Sequence, residues 1–247
     1  MLRSLTLRKI IIKSRFISLI FGAFVASLLI IGQASAQTLT YELDYMFSGV
    51  VGQDEPAGDP LITPWLTATF EESGSNLVTL TMTAGGLIGN ETVGAWYFNF
   101  DDTLLLSDLT FTFDSGGVPS QNVVMCDRDD PCVANSYQAN GDGDFDFYFN
   151  FPPPPGNQDK KFQANETVIY TITSNTGSLS VDAFDYTSWL GGQGSYNTAA
   201  FVQQTGTGGN DSAWIAPTVV PEPVSSTLFL VGAATLGFRR LRRNKRG

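Results

Sequence analysis

Asn140, Asp142, Asp144 and Asp146 recur at every second position of one short segment. Four hard oxygen donors at that spacing suit calcium, which takes six to eight oxygen ligands. The segment is not an EF-hand: Phe145 stands where that loop needs its glycine, and Phe151 where it needs the bidentate glutamate. The alternative is a loop entering a strand, with Asp144 and Asp146 on its wet face. A weaker acidic group, Asp127, Asp129 and Asp130, lies between Cys126 and Cys132. Two cysteines this close most simply pair in an oxidising compartment, where closing the loop stabilises by roughly 2–2.5 kcal/mol. A metal site there would need further ligands, and a redox pair is normally spaced C-x-x-C.

Trp65, Trp96, Trp189 and Trp214 are the remaining chemically informative side chains, since an indole offers an apolar face and a polar tip to a sugar ring. Trp65 and Trp96 sit in apolar runs and are expected in the core. Trp189, in a loop context near Tyr196, is the expected ligand-binding residue. The chain has no histidine, which excludes His-based triads and His-ligated zinc or haem. No nucleophile motif is visible, so an extracellular hydrolase ranks third among the functions considered. Asn90, Asn165 and Asn210 begin N-x-[ST] sequons whose chance occurrence is the default reading.

The elements that must position these residues read as strands. Phe145, Phe147, Phe149 and Phe151 alternate with Asp146, Tyr148 and Asn150, and Leu109, Phe111 and Phe113 alternate with threonines. Alternation of this kind puts one face on a core and the other in water. Similar runs at 38–47, 65–70, 77–83, 96–100, 168–172 and 199–203, separated by Gly, Asn, Asp and Pro clusters, predict about eight strands. No stretch of residues 37–220 sustains a helical apolar period, so the expected fold is an all-β antiparallel sandwich, with a jelly roll as one form of it.

Charge divides the 247 residues unevenly. Residues 37–220 carry 23 carboxylates against Arg128, Lys160 and Lys161, a net charge near −20 that repels nucleic acid and anionic lipid. The ends are basic instead. Arg3, Arg8, Lys9, Lys13 and Arg15 precede an apolar run at 16–31 and the small residues Ala34-Ser35-Ala36, the pattern of a signal peptide (1–36) cleaved before Gln37. Residues 37–216 are the expected β-domain and 217–223 a stiff proline-rich linker. The segment 224–247 holds an apolar run of about 22 Å as helix, then Arg239, Arg240, Arg242, Arg243, Lys245 and Arg246. That is short for a ~30 Å hydrocarbon core, with the basic residues on the cytoplasmic side.

Val220-Pro221-Glu222-Pro223, the apolar run and the arginine cluster, in that order, resemble the PEP-CTERM sorting signal of bacterial exosortase substrates. The resemblance implies signal peptidase and exosortase as processing partners, transient inner-membrane retention, cutting near 221–223, and a place at the cell surface or outside, associated with exopolysaccharide and biofilm. An ordinary tail anchor is the alternative. In the body, Gly94-Ala95-Trp96-Tyr97-Phe98-Asn99-Phe100, Leu109-Thr110-Phe111, the run from Ala139 to Asp146, and Phe151-Pro152-Pro153-Pro154 are similar to a recurring set of exported PEP-CTERM proteins without an assigned activity. The expected function is a non-catalytic surface or matrix protein. A calcium-dependent carbohydrate-binding module is the alternative.

Overall fold

The segment Leu77–Thr83 shows how the sequence sets the sheet. Val78, Leu80 and Met82 are fully buried, while the residues between them are only half-buried, the signature of a strand with one face on the core. The computed structural model describes residues 36–48, 52–125, 137–141, 143–151, 161–188 and 194–218. Among these are eleven strands: β1 (Thr38–Ser48), β2 (Leu66–Gly74), β3 (Leu77–Thr83), β4 (Thr92–Phe98), β5 (Leu109–Gly116), β6 (Asn122–Met125), β7 (Phe147–Asn150), β8 (Phe162–Gln163), β9 (Thr167–Ser174), β10 (Thr198–Thr205) and β11 (Asp211–Pro217). Every pairing is antiparallel, so the all-β antiparallel expectation holds.

One path runs through ten strands in the order β5-β9-β3-β2-β1-β11-β10-β4-β7-β6, with β8 pairing β4 beside β7. These strands form one continuous sheet that curls over itself. β2 and β4 are four strands apart, roughly 19 Å on a flat sheet, yet the Phe70 and Phe98 rings meet edge-on at 5.5 Å. Phe149 on β7 likewise lies 4.7 Å from Tyr170 on β9. The sheet is therefore nearly barrel-like, its interior filled by Phe70, Trp96, Phe98, Phe147, Phe149 and Phe162.

The two ends of the sheet, β5 and β6, are consecutive in the chain and share no ladder among the described residues. Residues 117–121 stitch the seam. Gly117 N–H donates to Thr167 O (2.8 Å), Gln121 N–H to Asn150 O (2.7 Å), and Ser120 N–H to the Tyr170 hydroxyl (2.7 Å). Gly116 enters this turn at φ +114°, and a Cβ there would lie 2.0 Å from Thr167 O, so no other residue fits.

A 3-10 turn, Val181–Phe184, lays Phe184 flat on Phe70 at 4.5 Å. The Tyr41 hydroxyl donates to Phe184 O (3.0 Å) and to the Asp185 carboxylate (3.1 Å); burial, then the Asp185 charge, raises its pKa well above the usual phenol range.

The last strand includes Pro217, which the sequence reading placed in the linker. Pro217 pairs with Leu43, and the Asp44 carboxylate accepts both the N–H and the hydroxyl of Thr218 at 2.8 Å. No helix among the described residues is long and apolar enough to cross a membrane; residues 1–35 and 219–247 lie outside them.

Candidate functional site

Alternation that fills the interior also decides what faces outward. On β4, Trp96 and Phe98 point in and Tyr97 out; on β7, Phe147 and Phe149 point in and Tyr148 out. On β10 and β11, Ala200, Val202, Ala213 and Ile215 belong to the core, leaving Phe201 and Trp214 on the outer face. Register then aligns them, Tyr97 opposite Tyr148 and Phe201 opposite Trp214.

The result is a row of five rings across four strands and the adjoining loop. Centroid separations are 5.5 Å for Tyr137–Tyr148, 4.7 Å for Tyr148–Tyr97, 5.3 Å for Tyr97–Trp214 and 5.0 Å for Trp214–Phe201. Tyr97 and Tyr148 stack on each other at 15°, Tyr97 being buried and also meeting Phe145 at 5.6 Å, whereas Trp214 is tilted to both of its neighbours. Burial, with Tyr148 next to it, pushes the Tyr97 hydroxyl up to about 12, so that hydroxyl stays a neutral donor at physiological pH. Amides border the row: Asn150 donates to Asn122 (3.2 Å), and the Gln203 side chain lies over Gly94, where a Cβ would come within 2.9 Å of its oxygen.

Tyr196, expected to bind ligand, is 5% exposed and stacks on Phe47 at 4.6 Å, so its ring is packed in the same buried apolar cluster as Tyr97. Trp189 lies outside the described residues, but the stem of its loop is well tied. Asn99 Nδ2 donates to the carbonyls of Tyr186, Tyr196 and Asn197, Ser188 N–H to Tyr196 O, and Ser195 Oγ to Ser188 O. Trp65 and Trp96 are core residues as expected. Trp214 stands in the uniformly apolar stretch Ala213-Trp214-Ile215-Ala216, which gives no alternation from which its outward face can be read.

The alternating acidic set is divided. Asn140 is exposed at φ +53°, Asp144 accepts from Gln138 Nε2 (3.2 Å), and the Asp146 carboxylate accepts Phe100 N–H (2.8 Å) on the far side of Phe145. Asp142 lies outside the described residues, as do Cys126, Cys132, Ala34, Val220, Pro221, Glu222, Pro223 and the arginine cluster. Gln37 is part of the folded body, its carbonyl accepting Glu72 N–H at 3.0 Å. Among the described residues no three His, Cys, Asp or Glu side chains gather as a metal site.

A second feature is a cleft of about 440 Å³ between residues 52–60 and the β10–β11 turn, lined by Gln53, Glu55, Pro56, Asp59, Trp65 and Thr207 among others. Its walls are fixed. Glu91, 3% exposed, accepts Ala57 N–H (2.7 Å) and Ile88 N–H (2.8 Å), Trp65 Nε1 donates to Gly58 O (2.6 Å), and Gly206 N–H donates to Glu55 O (3.4 Å). Burial raises the Glu91 pKa, against the lowering effect of the two N–H donors. No family model, curated protein or solved structure matches the chain.

Proposed function

We propose that the chain is an exported, non-catalytic protein of the cell surface or extracellular matrix that associates with exopolysaccharide through the outer face of its sheet. On this reading residues 1–36 are removed before Gln37, the segment 224–247 holds the protein transiently at the inner membrane, and an exosortase cuts at residues 221–223. The wrapped sheet then works as a sandwich-like module. The observation that carries the polysaccharide part is the aromatic row from Tyr137 to Phe201. Half-buried Tyr137, Tyr148, Trp214 and Phe201 around a buried Tyr97, with bordering amides, match a ligand that is apolar on its C–H faces and rich in hydroxyls. The charge near −20 fits a partner other than nucleic acid or anionic lipid.

Asp144, tied to Gln138 beside Tyr137, favours a calcium-dependent form of the same binding as the second reading. Two measurements test the proposal. Intact mass of the protein from membrane, surface and medium fractions should show a species starting at Gln37 and ending near 221–223 outside the inner membrane; a tail retained to Gly247 in the inner membrane would make it a tail-anchored protein. Co-sedimentation with the producer's exopolysaccharide should weaken about tenfold or more in Trp214→Ala, equivalent to ~1.4 kcal/mol. Retention of full binding in that variant would count against the outer face.

A further inference from the structure

We propose that the cleft between residues 52–60 and the β10–β11 turn binds an amine-bearing sugar unit, whose ammonium group is met by Glu55 and Asp59. The inference rests on the polysaccharide reading above and names the ligand class. The cleft volume of about 440 Å³ suits one small ligand or one unit of a longer chain. Buried Pro56 and Trp65 form its floor, half-buried Pro60 leaves apolar surface beside it, and exposed Gln53 and Thr207 supply neutral hydrogen-bonding groups.

Its charge points to a cation. Among the described residues no basic side chain lines the cleft. Among the described residues eighteen carboxylates face a single basic side chain, Lys161, which is 3% exposed and donates to Gln204 Oε1 at 3.2 Å. Asp59 Oδ1 accepts Leu61 N–H (3.0 Å), and Glu55, half-buried, uses its backbone carbonyl to hold Gly206. Glu55, partly desolvated, gains more from an ammonium group than the exposed Asp59 does.

The loop is already fixed by Glu91 and Trp65, and a Cβ on Gly58 would fall 1.9 Å from Gly86 O, so little ordering is left to binding. The β10–β11 hairpin that carries Phe201 and Trp214 also carries Gly206 and Thr207, so one hairpin contributes to both the aromatic row and the cleft.

The test is calorimetric titration of the full chain, as recovered after export, with chitosan oligomers and with chitin oligomers of equal length at mildly acidic pH. The two share a backbone and differ in the free amine. The expected result is at least about tenfold tighter binding of chitosan oligomers, a preference that shrinks in high salt. Glu55→Gln with Asp59→Asn should erase the preference while leaving chitin-oligomer affinity and the melting curve unchanged. Trp214→Ala should weaken both oligomers alike. Glu71→Gln with Glu72→Gln removes equal charge from β2 and should leave the preference intact. Equal binding of the two oligomers by the unaltered chain overturns the inference, as does a preference that survives in the cleft variant or vanishes in the β2 variant; in each case the polysaccharide reading stands. Failure to bind either oligomer or the producer's own polysaccharide overturns both.

Discussion

Curling of the sheet makes a quantitative prediction about Phe70 and Phe98. Their rings lie 5.5 Å apart at 89°, an edge-to-face pair, although their strands are separated by β1, β11 and β10. Side chains on a flat sheet four strands apart would be roughly 19 Å away and would act independently, within about 0.3–0.5 kcal/mol. A T-shaped pair contributes about 0.5–1.5 kcal/mol beyond burial. Phe70→Leu and Phe98→Leu each keep the site apolar and near its volume, and each should cost ~1–2 kcal/mol. The double variant should cost less than the two singles together, by about 1 kcal/mol, because the pair is lost only once. Urea unfolding of the four proteins, followed by tryptophan fluorescence, measures this cycle. Both rings are fully buried, so the single variants must destabilise measurably. Strict additivity, with both singles destabilised, would refute a sheet folded so that β2 faces β4.

The remaining predictions concern charge and chemistry. The Glu91 pKa is raised by burial, so the folded state holds that proton more tightly than the unfolded chain; its contribution is largest below the ordinary carboxylate range and is lost as pH rises through the raised value. Melting temperatures of the unaltered chain and of Glu91→Gln, measured from about pH 4 to about pH 7, should therefore diverge with pH, the unaltered chain faring relatively better in acid. A pH-independent difference would contradict this. Millimolar calcium should raise the melting temperature by mass action, and Asp144→Asn should abolish the rise; an unchanged curve in the unaltered chain removes the calcium reading. Cys126 and Cys132 should react with a maleimide only after reduction, and labelling of the untreated protein would show that they are not paired.

Strand periodicity was legible wherever large apolar residues alternate, and the 77–83 segment matches β3 residue for residue. Three strands were not. β6 and β8 are too short, at four and two residues, to display a period, and β11 carries only Trp214 and Ile215 as large apolar groups before it ends at Pro217. The outer row was illegible for a different reason. Tyr97 and Tyr148 read as the polar alternates of strands whose inward residues are Trp96, Phe98, Phe147 and Phe149, and only long-range register brings them next to Trp214 and Phe201. Tyr196 illustrates the converse, since proximity to Trp189 in sequence did not reveal that Phe47 covers its ring. The cleft was hidden because it joins residues 52–60 to a turn some 150 positions later.

The place of β11 in the strand order bears on how the chain acquires its structure. It lies between β1 and β10, pairing Leu43 with Pro217 and Phe201 with Trp214. The first strand made thus waits for the last, and until it arrives one edge of β1 has no ladder. In a chain delivered N-terminus first, the half-sheets on either side can form early, but they can be joined only when residue 217 is free. Closure is a late, nonlocal and therefore slow event. Whatever holds the residues just beyond Thr218 would act at that moment, keeping the chain end close to where the final strand must slot in.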